Sequence, residues 1–85
     1  MTVVVRMGVL VIDGECIPVP DVEVGARFKY SDRASTWCSV QTDGDGMAWF
    51  RDEHLELPLQ VDLYAGHLLH DTFPVADGTT LVLEV

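Results

Sequence analysis

The chain has 85 residues, which is enough for one domain with a small hydrophobic core. With 14 acidic and 5 basic residues its formal net charge is −9, a field that repels nucleic acid and anionic membrane surfaces, so we expect neither as a partner. No stretch approaches the roughly 20 apolar residues that a transmembrane helix requires, so we expect no membrane insertion.

The first segment, residues 1–12, is apolar but contains Arg6, and it lacks both a basic leader and a small-residue cleavage site. This pattern predicts a first strand and not a signal peptide, and hence synthesis in the cytoplasm. In that compartment Cys16 and Cys38 are predicted to be free, buried thiols, with a disulfide as the less favoured alternative.

Alternation of apolar and polar residues continues along the chain, with Gly, Pro or Asp between the alternating segments. It predicts seven strands, at residues 3–13, 22–30, 37–42, 47–51, 59–65, 67–75 and 79–85. The segment 52–58 is predicted to be a loop, with one helical turn as an open alternative. Seven short strands without a long helix are typical of an all-β, Greek-key β-sandwich, here a single domain over residues 1–85.

The parity of each strand predicts which side chains are buried. In the second strand the even residues from Val22 to Tyr30 are apolar, and the odd ones, among them Arg27 and Lys29, are polar or Gly. In the fifth strand Leu59, Val61 and Leu63 are predicted to be buried, whereas Gln60, Asp62 and Tyr64 point outward. One buried and one solvated face indicate that the second strand pairs in an antiparallel manner.

The turn Asp43-Gly44-Asp45-Gly46 has the Gly residues that a tight hairpin requires, and its two carboxylates raise the question of calcium. An EF-hand loop counted from Asp43 would need an oxygen ligand at Met47, Gly at Ala48 and Glu at His54. None of these is met, so the turn is predicted to be structural, and we expect no metal ion or other cofactor.

The histidines are His54, His67 and His70. Three residues apart on one strand, His67 and His70 point to opposite faces and cannot share a metal ion or an active site. No local motif joins a serine to a histidine and an acid. We therefore expect a protein that is not an enzyme, although a small hydrolase stays open as an alternative.

Three segments resemble a known family. Asp13 with Pro18–Val24 resembles V-x-D-x-x-G-x-P-V-P-G-A-x-V, Thr42–Phe50 matches T-D-x-D-G-x-A-x-F at every defined position, and Leu57–Gly66 resembles P-x-x-V-x-V-x-A-x-G. These are patterns of carboxypeptidase regulatory-like domains, and they occur in the same order through nearly the whole chain. The resemblance implies a transthyretin-like sandwich, related more loosely to Ig-like domains, whose members mostly mediate folding, adhesion or assembly.

The chain departs from the family pattern at two positions. Cys16 stands where the pattern has Gly, and Asp21 replaces the Gly that follows the second Pro. The first of these departures predicts that the turn after the first strand is rebuilt.

Surface residues are the remaining candidates for function. Because Ala48 and Phe50 share one face of the fourth strand, Met47 and Trp49 share the other. An outward Trp49 is a credible interface anchor, and burial under a covering loop is an equally weighted alternative. The predicted partner-binding residues are Trp49, Met47, Arg27, Lys29, Val4, Leu10 and Ile12.

These observations favour a non-catalytic module that docks onto a larger protein assembly, or associates with copies of itself. A virion component of a bacteriophage, such as a capsid decoration or tail accessory protein, is one instance. A ligand- or carbohydrate-binding module is the alternative, and it requires Trp37, Trp49 and Tyr64 to lie side by side on one face.

Overall fold

The computed structural model describes residues 3–31, 34–54, 58–66, 68–75 and 77–85, with the backbone alone at residues 3, 52 and 54. Within them lie seven strands, as the alternation predicts: β1 Val3–Ile12, β2 Glu23–Lys29, β3 Thr36–Gln41, β4 Met47–His54, β5 Gln60–Ala65, β6 Leu68–Pro74 and β7 Thr79–Glu84. The chain is therefore an all-β domain in its described part.

The strands form two sheets that pack as a sandwich. The three-stranded sheet has the order β4-β1-β7, and the four-stranded sheet has the order β3-β2-β5-β6. The pairing of β1 with β7 is parallel, and the other pairings are antiparallel. Because β3 and β4 contact each other along one side of the sandwich, β6 and β7 lie at the other side.

The core lies between the sheets and is built by the residues that alternation assigns to it. Its most completely buried large side chains come from β1, β2 and β5: Phe28, Met7, Leu63, Val5, Val9, Val11, Val24 and Val61. Phe50 and Ala48 of β4 and Leu83 of β7 are also buried, so each of these strands contributes one face to the core.

One type of turn occurs twice. The Asp43 carboxylate accepts the amides of Asp45 and Met47, at 2.9 and 3.1 Å, and the Asp13 carboxylate accepts those of Glu15 and Ile17, at 2.8 and 3.1 Å. In both turns the Asp carbonyl also accepts the amide three residues on, from Gly46 or from Cys16. The sequence Asp-Gly-acidic-x-apolar thus specifies the same turn at residues 13–17 and 43–47. Because β3 and β4 belong to different sheets, the second turn crosses between the sheets, and the prediction of a tight hairpin there was wrong.

Thr42 holds the segment between β1 and β2 beside the second turn. Its side chain is buried, accepts the Val22 amide at 3.0 Å and donates to the Val19 carbonyl at 2.8 Å. Its backbone bonds to Val22 and Asp21 as well. The extended segment between β1 and β2 is therefore anchored through one residue.

Several sequence predictions were wrong in detail. Leu59, predicted to be buried, is 58% exposed because it precedes β5 and lies outside the core. Cys16 is exposed at a turn and Cys38 is half-buried, so the predicted burial of both thiols was wrong, although both cysteines are free. β4 continues to His54, so residues 52–54 extend a strand and form no helical turn; residues 55–57 lie outside the described part.

Candidate binding surfaces

Trp49 lies on the outer face of the three-stranded sheet, directly opposite Gly8 in β1. A Cβ atom at Gly8 would lie 2.8 Å from the Trp49 ring and 2.9 Å from the Met47 methyl group. The absence of a side chain at Gly8 thus lets both neighbours pack flat on the backbone. Trp49 is still 62% exposed, so no described loop covers it.

Apolar side chains continue from Trp49 across all three strands of this sheet. Met47 is paired with Leu10, and Leu10 is paired with Val82 of β7, which is 53% exposed. We call Trp49, Met47, Leu10 and Val82 the apolar face. Trp49 and Val82 are exposed, and Met47 and Leu10 are half-buried between them. Contiguous apolar surface of this kind marks interaction sites more often than isolated apolar side chains do.

Charged residues border the apolar face at one end. Arg6 lies directly opposite Arg51, and this is the next outward-facing pair after Gly8 and Trp49. Facing like charges repel each other. Among the described residues, the Arg51 guanidinium pairs with the Glu53 carboxylate at 2.9 Å. Two guanidinium groups therefore stand beside an exposed indole ring.

The outer face of the four-stranded sheet carries a second aromatic cluster. The rings of Trp37 and Tyr64 meet edge to face with centroids 5.1 Å apart. The Arg27 guanidinium lies 5.9 Å from the Trp37 centroid and 5.8 Å from the Tyr64 centroid. A side chain at Gly25 would overlap the Trp37 ring, so this aromatic residue also rests on a glycine. Trp37 is 50% exposed.

A buried carboxylate connects three strands beneath this cluster. Asp62 of β5 is only 4% exposed, accepts a hydrogen bond from the Thr72 hydroxyl at 2.6 Å and pairs with the Lys29 ammonium at 3.0 Å. The hydrogen bond from Thr72 lowers the pKa of Asp62 most, burial opposes it, and Lys29 and Arg27 lower it further. Asp62 is thus an ionised structural group, and it points outward as predicted.

The predicted partner-binding residues fall on two opposite faces of the sandwich. Trp49, Met47, Leu10, Ile12 and Val4 belong to the three-stranded sheet, where Ile12 and Val4 are half-buried near its two ends.

Arg27 and Lys29 belong to the four-stranded sheet. Arg27 is held between two aromatic rings and Lys29 by Asp62, so both already have intramolecular partners.

The aromatic platform of the alternative hypothesis forms only in part. Trp37 and Tyr64 are neighbours, but Trp49 lies on the other sheet. Sequence reasoning overlooked Val82 and the meaning of Gly8 and Gly25. A glycine within a strand signals a close approach by a neighbouring side chain, and both positions show it here.

The candidates for chemistry do not converge in the described residues. His70 is exposed at a bulge where β6 shifts its register against β5; His67 and the His54 side chain lie outside the described part. Across residues 3–31, 34–54, 58–66, 68–75 and 77–85 there is no group of three metal-ligating side chains and no cavity. That same part contains no helix long and apolar enough to cross a membrane.

Searches of protein-family models and of curated proteins found no match to this chain. The candidate binding surfaces are therefore the outer faces of the two sheets.

Proposed function

We propose that the chain is a non-catalytic binding module that docks onto a larger protein assembly through the apolar face. The observation that carries this proposal is the exposed indole of Trp49, fixed on Gly8 and extended by Met47, Leu10 and Val82. A large ring held in place loses little conformational entropy on binding, which is why Trp is enriched among the residues that dominate interface energies.

The surroundings of Trp49 indicate the chemistry of the partner. Arg6 and Arg51 face each other at one end of the apolar face, so a partner that supplies a carboxylate there relieves their repulsion. The matching surface would have an apolar pocket for the indole ring and an acidic rim. Such a rim tunes orientation and association rate more than affinity.

The backbone supports the resemblance to carboxypeptidase regulatory-like domains, which motivates an assembly role. Cys16 and Asp21 have φ angles of 63° and 59°, in the left-handed region. Both stand where the family pattern has Gly, the residue that takes this conformation without strain. A bacteriophage virion component remains one proposed instance, and mass spectrometry of purified particles tests it directly.

The test of the docking proposal compares two exposed tryptophans. We expect Trp49→Ala to lower the yield of proteins that co-purify from the source cells by at least about tenfold, while Trp37→Ala leaves it unchanged. Circular dichroism and the unfolding midpoint of both variants check that the fold is intact. Mass in solution over a range of concentrations shows whether the partner is a second copy.

Unchanged co-purification and mass with Trp49→Ala would refute the proposal. Loss with Trp37→Ala alone would instead favour the four-stranded sheet.

A ligand- or carbohydrate-binding function is the second candidate, and the pairing of Trp37 with Tyr64 beside Arg27 is the observation that favours it. Aromatic faces stack on sugar rings, and a guanidinium group donates to hydroxyl oxygens. Titration with a panel of oligosaccharides, followed by tryptophan fluorescence, should give a saturable change that Trp37→Ala abolishes. A change that survives Trp37→Ala would count against this surface.

A further inference from the structure

The two sheets differ in width by one strand. β3 and β4 lie against each other at one side of the sandwich. At the other side, the described part of the three-stranded sheet has no strand opposite β6. Leu68 and Asp71 of β6 pair with Ala65 and Leu63, so their side chains face the interior side of the sheet. Leu68 is nevertheless 68% exposed and Asp71 is exposed.

The uncovered surface is a groove one strand wide between β6 and β7. Leu68, Asp71 and the half-buried Phe73 line it from β6, and the half-buried Leu81 lines it from β7. We call it the edge groove. Its floor is apolar except for one carboxylate, that of Asp71.

The β7 backbone presents hydrogen-bonding groups to this groove. The Val85 amide donates to Ile12 of β1, and alternate residues of a strand direct their backbone groups to the same side. The amides of Thr80, Val82 and Glu84 therefore point away from β1, toward the free edge. Among the described residues β7 pairs with β1 alone.

β7 also lacks the features that usually prevent strand addition. It reads Thr-Thr-Leu-Val-Leu-Glu, without Pro, Lys or a bulge, and with one charge at its end. β6, the other edge strand on this side, has a bulge, a Pro at its end and the inward carboxylate of Asp71. Strand addition is therefore favoured at β7 and disfavoured at β6.

We propose that β7 accepts an extended segment of a partner protein, which becomes a fourth strand of the three-stranded sheet and covers the edge groove. Its inward side chains would be apolar against Leu68 and Phe73, with a Lys or Arg against Asp71, because covering that carboxylate without a cation would bury an unpaired charge. About six residues suffice to match β7. This proposal is independent of the apolar face.

A second copy of the chain fits the groove less well than a single segment. If β7 paired with its own copy about a two-fold axis, the four-stranded sheet of each copy would extend under the β7 strand of the other. The overhanging β6 strand of each copy would then occupy the same space as β5 of the other copy. The groove admits one strand, not a second sandwich.

The test tethers a probe strand to the full chain. The probe Thr-Val-Thr-Lys-Thr-Val-Thr is joined after Val85 by a Gly/Ser linker of about 12 residues, whose mean span of about 20 Å matches β7. At the resulting effective concentration we expect amide exchange at Thr80, Val82 and Glu84 to slow by about tenfold. A probe with Glu in place of Lys should protect these amides at least about threefold less.

Two variants of the tethered chain sharpen the result. Val82→Pro removes one free-edge donor without touching the β1 pairing, and it should abolish the protection. Asp71→Asn should remove the preference for the lysine probe while leaving β7 intact.

Absent protection with the lysine tether, protection confined to β3 or β4, or an unchanged preference in Asp71→Asn would overturn the proposal. The proposal would also be overturned if the untethered chain doubled its mass in solution and showed the same slow amide exchange in β7. In that case the added strand would belong to a second copy.

Discussion

Cys16 has a backbone conformation that suits glycine. Its φ of 63° matches that of Gly46, 75°, at the equivalent position of the second turn. A side chain in the left-handed region costs about 1–2 kcal/mol. The first turn therefore keeps the hydrogen bonds of the second but carries strain that the second avoids.

Replacing Cys16 by glycine should release this strain. We expect Cys16→Gly to raise the free energy of unfolding by up to about 1 kcal/mol, because the relief exceeds the about 0.4–1 kcal/mol of chain entropy that glycine adds to the unfolded state. The unfolding midpoint should rise by up to about 4–8 °C. Cys16→Ala is the matched control, since it removes the thiol and keeps the strain. Equal midpoints for the two variants would contradict the argument.

The similarity of the two turns could have been predicted from the sequence, but comparison with the family pattern alone did not show it. Comparison with the pattern marks Cys16 as a departure and predicts a rebuilt turn. Comparison of Asp13-Gly14-Glu15-Cys16-Ile17 with Asp43-Gly44-Asp45-Gly46-Met47 shows one turn used twice. A residue other than Gly at this position is uncommon, which is why turn rules alone did not identify it.

At the scale of elements, Asp62 joins β5 to both of its neighbours. Thr72 of β6 donates to it and Lys29 of β2 pairs with it, so one carboxylate connects three adjacent strands. Parity predicts that Asp62 points outward, and it does. Parity does not predict that it is 4% exposed, since that depends on which residues of the neighbouring strands lie beside it.

Asp62 should make the free energy of unfolding depend on pH in the acid range. Its pKa in the folded chain lies below the ordinary 3.8, so the folded state favours the ionised form and the stabilisation is complete above that value. It is lost as the pH falls from about 4 through the folded pKa, where the carboxylate is protonated.

We expect Asp62→Asn to lower the free energy of unfolding by about 1–2 kcal/mol near neutral pH and by much less in acid. Urea unfolding at about pH 7 and about pH 3 measures the difference. Asp71→Asn, an exposed carboxylate on the adjacent strand, is the control and should change the pH dependence little. Parallel pH profiles for wild type and Asp62→Asn would contradict this role.

The positions of the strands and most core residues were predictable, because both follow from periodicity within a segment. The exposure of side chains at the sheet edges was not predictable from periodicity. Leu68 of β6 lies on the inner face of its sheet and is still 68% exposed, because the opposite sheet ends one strand earlier. For the apolar face, too, only part was predictable. Parity within one strand placed Trp49 outward. It did not predict that Val82 lies beside Leu10, because that depends on the parallel pairing of β1 with β7, which are distant in the sequence.

At the scale of the whole molecule, acidic residues concentrate at one end of the sandwich. The turns at residues 13–17 and 43–47 meet there with the segment before β2 and the end of β7. The acidic residues of these segments are Asp13, Glu15, Asp21, Asp43, Asp45 and Glu84. The nearest basic residue along β1, Arg6, is six residues from Ile12, about 20 Å away. Mutual repulsion of these carboxylates should therefore oppose folding at low salt.

We expect the unfolding midpoint to rise as sodium chloride is increased from about 0.01 M to about 0.3 M, because the screening length falls from about 30 Å to well below 10 Å. Glu15→Gln should raise the midpoint at low salt by about 1–3 °C and reduce its salt dependence, since it removes one of the repelling charges. Thr80→Lys changes the net charge by the same amount near the start of β7, at the opposite end of that strand from Glu84, and it should leave the salt dependence closer to that of the wild type. If both variants flatten the salt dependence equally, net charge governs stability and the acidic end does not.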